Sequence, residues 1–129
     1  AILVSKIQYL KKGVNKIFAI LNAGMNDFMR PALYDAVHRI VPLIKNNKKF
    51  SGTLEFVGPI CETTCKFVKY KNYQKIGESD FVAIMDVGAY GASLSSNYNT
   101  KPLIAELLVG KGKTKIIRRK QNLETLINY

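Results

Sequence analysis

Residues 1–21 read AILVSKIQYLKKGVNKIFAIL, and the reading of this stretch decides the fold. Ile2, Val4, Ile7, Tyr9 and Leu10 are β-formers with polar positions between them, so residues 1–12 read as a strand. Lys12-Gly13 with Asn15 makes a turn, and residues 16–21 resume the β pattern. Two such runs across a short polar connection predict a hairpin.

Outward from the hairpin, residues 22–27 (Asn-Ala-Gly-Met-Asn-Asp) form a loop rich in residues that tolerate positive φ. Pro31 suits the first turn of a short helix over residues 32–40, where Leu33, Ala36, Val37 and Ile40 stand at i, i+3, i+4, i+7 spacing. Pro42 and the polar stretch 45–51 end it. Further strands are predicted at 54–57, 65–71, 81–87, 103–109 and 114–119, separated by Gly, Pro, Asn or Ser. Asn122 caps a final helix over 123–128. Seven strands at near-regular spacing with two short helices predict a mainly β domain, a β-sandwich or Greek-key barrel, over residues 1–129.

Composition sets the outer bounds. At 129 residues and 47% hydrophobic content the chain makes one domain with a sizeable core. It is too short for a complete (β/α)₈ barrel, which takes roughly 200 residues or more. Apolar runs such as 81–85 fall far short of the ~20 residues of a spanning helix, so no membrane is expected as partner. Two cysteines make no disulfide framework, and a reducing, cytoplasmic compartment is expected. The start at Ala1, inside an apolar run, reads as a segment of something longer.

The formal charge of +11 raises the question of an anionic partner. Sixteen of the twenty basic residues are Lys, and they are scattered rather than gathered into an Arg-containing patch interleaved with aromatics. The densest run, Lys111-Gly-Lys-Thr-Lys-Ile-Ile-Arg-Arg-Lys120, reads as a hairpin strand with a solvated polar face. Nucleic acid is not expected as a partner.

The least ordinary residues occupy loops. Arg30 starts the predicted helix with Tyr34 one turn on, and such an i, i+4 pair can hold a carboxylate by charge and by a phenolic hydrogen bond. Surface pairing of Arg30 with Asp27 or Asp35 is the alternative. Gly58-Pro59-Ile60-Cys61-Glu62 ends a strand in a rigid turn and sets a thiol beside a carboxylate. That thiol can serve as proton donor, nucleophile or metal ligand; an inert buried Cys or a Cys61–Cys65 disulfide remain open. A zinc site needs about four ligands, and two Cys with a distant His38 fall short, so no metal is expected. Gly88-Ala-Tyr90-Gly91, running on to Ser96-Asn-Tyr-Asn99, places small residues around an aromatic ring, which lets a flat ligand or another backbone approach closely.

In this order and at these separations, Gly24-Met-Asn-Asp-Phe-Met-Arg30-Pro-Ala-Leu-Tyr34, Gly58-Pro-Ile-Cys61-Glu62 and Gly88-Ala-Tyr90-Gly91 with Ser96-Asn-Tyr-Asn99 resemble the carboxy-terminal domain of the diaminopimelate decarboxylases, members of the fold-type III, alanine-racemase-like pyridoxal phosphate decarboxylases. The resemblance spans essentially the whole chain. It implies a lyase of lysine biosynthesis that converts meso-2,6-diaminopimelate to L-lysine and CO₂, with pyridoxal 5′-phosphate as cofactor. It implies that Cys61 donates the proton and Glu62 binds a substrate amine, both in the neighbouring subunit of a homodimer. Arg30 and Tyr34 then bind the distal carboxylate, and Tyr90 lies at cofactor and substrate. Ornithine-type relatives carry Cys-Asp where this chain has Cys61-Glu62 and lack its Arg-Pro-Ala-Leu-Tyr and Ser-Asn-Tyr-Asn segments; another fold-type III amino-acid decarboxylase is the first alternative and a basic nucleic-acid- or anion-binding module the second.

Departures from the family's pattern lie beside these residues. Cys65 stands where Asp is common, Ala92 and Leu94 where Phe and Met are, and Asn22 where Asp often is. The family's cofactor-bearing lysine, its glycine-rich phosphate loop and its Glu-Pro-Gly-Arg segment belong to an amino-terminal TIM-like barrel, and no segment of this chain matches them. The chain alone is therefore expected to be inactive and not to hold the cofactor.

Overall fold

The computed structural model describes residues 1–128. The opening hairpin forms as predicted: β1 (Ile2–Lys12) pairs antiparallel with β2 (Lys16–Leu21), with a bulge between Ile7 and Tyr9. Alternation in β1 sends Leu3, Ser5 and Ile7 inward and leaves Ile2 and Val4 outside, the period-2 pattern of a half-buried strand.

Around this hairpin grows a six-stranded mixed sheet. Its further strands are β3 (Ile40–Pro42), β4 (Thr53–Val57), β5 (Lys66–Lys71) and β6 (Phe81–Met85), in the order β3-β6-β1-β2-β4-β5. Only β2 and β4 run parallel, and the segment between them carries α1 (Arg30–Tyr34) and β3. A separate two-stranded unit, β7 (Glu106–Gly110) with β8 (Lys113–Arg118), turns at Lys111-Gly112, both at positive φ as a tight hairpin turn requires. The lysine-rich run thus lies on an exposed hairpin, as its sequence predicts. Two more short helices follow the sheet, α2 (Gly88–Ser93) and α3 (Leu123–Ile127), the latter capped by the Asn122 side chain, which accepts from the Glu124 N–H at 3.2 Å.

The domain is mainly β, as expected, with a sheet that curls without fully closing and a few short helices. The two edges of the sheet approach through a pair of tyrosines. Ile40 in edge strand β3 donates its N–H to Tyr70 Oη at 2.8 Å, and Tyr73 Oη donates to the Ile40 C=O at 2.9 Å. Tyr70 belongs to β5 at the opposite edge, and Tyr73 follows it after a left-handed Asn72. Both rings stand edge-on to the fully buried Phe56, with centroids 6.0 Å and 5.2 Å away. Leu54, Leu21, Ile7 and Ile84 complete the core inside the curl.

The helix predicted over 32–40 stops at Tyr34. Asp35 takes a left-handed conformation (φ 52°, ψ 27°), and Ile40, the last apolar position of the supposed helical stripe, is claimed by β3. Leu33 and Val37 are exposed, so the stripe covers no core. The strand predicted over 103–109 starts late, at Glu106, and those over 65–71 and 81–87 shorten to β5 and β6. Neither β3 nor α2 was predicted.

Removing the Tyr73 hydroxyl leaves a buried carbonyl without its partner, which costs about 1–3 kcal/mol. Tyr73→Phe is expected to lower the unfolding free energy by that amount in urea denaturation, with the denaturant slope unchanged. Burial, with a smaller push from Tyr70, holds the Tyr73 phenol well above its ordinary range, which keeps it a donor at neutral pH.

Candidate functional site

Three loops converge at one end of the curl, and glycines set how closely. A Cβ on Gly58 would lie 2.4 Å from Cys65 Sγ and 2.7 Å from the Gly24 Cα, so the 58–65 loop and the 22–28 loop touch backbone to backbone. The Gly58 N–H donates to the Cys65 C=O at 2.8 Å, and the Met25 N–H donates to Cys65 Sγ at 3.4 Å. Cys65 is thus a buried thiol in the packing between loops, and Cys61 is an exposed one; both are free.

The 22–28 loop is tied on its other side to β1. Asn22 Oδ1 accepts from Ser5 Oγ at 2.7 Å and from the Lys6 N–H at 2.9 Å. Asp27 Oδ2 accepts the Gly24 N–H at 2.9 Å, closing the loop on itself. Burial raises the Asp27 carboxyl above its ordinary value, against the pull of the Gly24 N–H and the Lys101 charge. Phe28, fully buried, packs edge-on against His38 with centroids 4.6 Å apart, and His38 Nδ1 is 3.0 Å from the Met85 carbonyl. His38 therefore anchors the loop rather than facing a ligand.

Beyond Phe28 the chain enters α1 with Pro31 buried and Arg30 at its first position. The Arg30 guanidinium stands 5.7 Å from the Tyr34 ring centroid and 5.8 Å from that of Tyr90, so α1 and α2 present one cation between two exposed phenols. Neither Asp27 nor Asp35 forms an ion pair with Arg30 among the described residues, which leaves its charge available.

A second constellation lies on the 58–65 loop. Glu62 is exposed and accepts a hydrogen bond from Tyr98 Oη; Cys61 precedes it, also exposed. No hydrogen bond, ion pair or ring contact joins this group to Arg30, Tyr34 or Tyr90 among the described residues. Tyr98 escaped the sequence reading as a site residue, although Ser96-Asn-Tyr-Asn99 was singled out. The run of Asn and Ser, suited to turns with left-handed residues, was the available signal.

Clefts on the surface include one of about 370 Å³ and one of about 510 Å³. The larger borders Glu62 and runs over the outer face of β2 and β4, where the buried Glu55 is held by Lys16 and by Lys69 at 3.7 Å. Arg30, Tyr34, Cys61 and Tyr90 line neither. Tyr34, Cys61 and Tyr90 are exposed and Arg30 is half-buried.

The described surface thus carries a cation between two tyrosines on α1 and α2 and a thiol beside a carboxylate on the 58–65 loop. The family model for the pyridoxal-dependent decarboxylase C-terminal sheet domain matches residues 1–88, and the chain belongs to that family. Diaminopimelate decarboxylase of Haemophilus influenzae is 43% identical over 125 residues, covering 97% of this chain and 30% of that protein. The crystal structure of diaminopimelate decarboxylase from Helicobacter pylori complexed with L-lysine matches with a TM-score of 0.85 at 38% identity, over 97% of this chain and 30% of that one. The enzyme from M. jannaschii in co-complex with L-lysine matches with a TM-score of 0.90 at 32% identity, over 98% and 29%. The chain thus spans about 30% of the length of the curated relatives it matches.

Because the folded state holds the Asp27 proton more tightly than the unfolded chain does, Asp27 favours folding more as pH falls below its raised value. Asp27→Asn keeps an acceptor for the Gly24 N–H without the buried charge. Its unfolding free energy is expected to equal or exceed that of the unsubstituted chain at pH 7. The difference should shift toward the unsubstituted chain as pH falls toward 3.8, the ordinary value, in urea melts across that window.

Proposed function

We propose that this chain is the carboxy-terminal domain, residues 1–129, of a pyridoxal phosphate-dependent diaminopimelate decarboxylase, which converts meso-2,6-diaminopimelate to L-lysine and CO₂ in lysine biosynthesis. The observation that carries this reading is the division of the site residues into two constellations. Arg30, Tyr34 and Tyr90 form one, and Cys61 and Glu62 with Tyr98 form the other. A homodimer in which each subunit lends its thiol and carboxylate to the other's active site needs that separation. The open placement of both groups agrees with a face covered by the amino-terminal barrel and by the partner subunit. Edges β3 and β5 meet through the Tyr70 and Tyr73 hydroxyls, which supports reading the curl as a Greek-key barrel with a side-chain seam.

Each side chain has a role that its chemistry supports. The Arg30 guanidinium binds the carboxylate at the far end of the substrate, flanked by the Tyr34 and Tyr90 phenols, and so selects a diacid over ornithine or arginine. The Glu62 carboxylate binds the distal ammonium group. Cys61 Sγ gives its proton to the carbon that has lost CO₂, which restores a C–H bond where the C–C bond broke. Pyridoxal phosphate, when bound, supplies the electron sink for the pair left on that carbon. Its fit to this face is that of one wall: Tyr90 offers an exposed aromatic phenol in α2, while no lysine is hydrogen-bonded or ion-paired to Arg30, Tyr34, Cys61, Glu62 or Tyr90 among the described residues. Tyr90 would hold the cofactor from this side, and the lysine that carries it belongs to the barrel.

No helix among the described residues is long and apolar enough to cross a membrane. We assign the complete enzyme to the cytoplasm, which the two free thiols support.

In the complete decarboxylase that contains this chain, Cys61→Ala is expected to lower turnover about 10²–10³-fold, the usual loss on removing a general acid, with substrate affinity little changed. Normal turnover would remove Cys61 from the mechanism. This chain alone, mixed with pyridoxal phosphate and reduced with borohydride, is expected to give no adduct at any one lysine in peptide mass spectrometry. Stoichiometric labelling of a single site would overturn the assignment of the cofactor lysine to the barrel.

A further inference from the structure

We propose that Tyr98 is a positioning residue for Glu62, holding its carboxylate in the one orientation in which it can receive a substrate ammonium group. This rests on the decarboxylase reading of Glu62 and extends it to a residue outside the set read from the motifs.

Glu62 lies on an exposed loop, where a carboxylate at the end of a flexible side chain would sample several orientations. Among the described residues its side chain has one hydrogen-bond partner, the Tyr98 hydroxyl, 36 residues away in sequence. That hydroxyl donates to Oε1 and leaves Oε2 and the remaining lone pairs of Oε1 to a ligand. A phenol is a suitable donor here: it fixes the carboxylate without neutralising it, whereas a lysine or arginine in the same place would compete with the substrate for the charge.

The phenol can only position Glu62 if it is itself held, and the surrounding contacts hold it. Asn97 Nδ2 donates to the Lys101 carbonyl at 2.9 Å and to Gln121 Oε1 at 2.6 Å. Gln121 is in turn paired with Leu103 through both backbone and side chain, at 2.9 Å and 3.0 Å. On the other side the Tyr98 N–H donates to Ser96 Oγ at 3.3 Å, and the Ser96 N–H donates to the Asn26 carbonyl at 2.9 Å. Tyr98 is therefore braced between the 22–28 loop and the segment that follows β8, while Asn99 and Thr100 take left-handed conformations (φ 60° and 56°) to make the turn. The hydrogen bond to Glu62, and secondarily its charge, hold the phenol in its protonated, donating form above the ordinary tyrosine range.

The test is a double-mutant cycle in the complete enzyme. Tyr98→Phe, which removes only the hydroxyl, is expected to raise KM for diaminopimelate about ten-fold, with kcat within about two-fold and the melting temperature unchanged. In a Glu62→Gln background the same substitution should change KM by less than about two-fold, since its whole effect runs through the carboxylate. Equal changes in both backgrounds, or unchanged kinetics for Tyr98→Phe, would overturn the proposal. If Cys61→Ala loses turnover while Tyr98→Phe behaves normally, only the positioning role falls; if Glu62→Gln itself leaves KM unaltered, the role of Glu62 falls and this one with it. A readout independent of activity uses this chain with ¹³C-labelled tyrosine. The Tyr98 ring should titrate above the ordinary value of about 10 and return to it in Glu62→Gln, and a normal titration in the unsubstituted chain would also overturn the proposal.

Discussion

The structure depends on how the backbone of Ile40 is satisfied. On either side of β3, the Arg39 carbonyl and the Leu43 N–H bond to β6, so the N–H and C=O of Ile40 point the other way, to the open edge of the sheet. Buried there without partners they would cost several kcal/mol together. Tyr70 and Tyr73, from the opposite edge, supply one acceptor and one donor. The sheet must therefore curl until its edges lie a tyrosine's length apart, and it cannot close further without expelling those rings. The same curl fixes the segment between β2 and β3, and with it the loop that carries Arg30.

That dependence explains what the sequence could and could not disclose. The hairpin of β1 and β2 is local and alternates cleanly, and its limits agree with the pattern. The lysine-rich hairpin and the Asn122 cap are likewise written in neighbouring residues. Ile40 is different. Its apolar spacing with Leu33, Ala36 and Val37 fits a helix, and only two hydroxyls some thirty residues downstream make it a strand. The Gly-Ala-Tyr-Gly-Ala-Ser segment has poor intrinsic helix propensity and still forms α2, because Gly91 lets it pack closely on Val87 and Phe28.

The same distinction runs through the site. Arg30 and Tyr34 share a helix face and could be paired from spacing alone, and the structure adds Tyr90 as a second ring over the guanidinium. Cys61 and Glu62 are adjacent in sequence, so their neighbourhood was never in question. What no local pattern discloses is the Glu62 partner, since Tyr98 reaches it only after the chain has traversed β5, β6 and α2. Cys65 belongs with these non-local features. In the sequence it is only a Cys where Asp is common, and the fold shows the thiol buried and accepting the Met25 N–H. An acceptor at that position serves to hold two loops together.

Exposed contacts can orient a terminal group, as the Tyr98 hydroxyl orients the Glu62 carboxylate, but they are too weak to place the segments that carry the site side chains. A cation over an aromatic ring at the surface contributes about 0.5–1 kcal/mol, and a solvated polar contact no more. Pinning a long side chain costs about as much in rotamer entropy. Order at the site must therefore come from beneath, from the backbone contacts of Gly24, Gly58 and Gly91 and from the Asn22, Asp27 and Asn97 hydrogen bonds that tie each loop to its neighbours. These contacts are buried or partly buried, and each contributes without reference to a ligand. A face built in this way stays arranged while open to solvent.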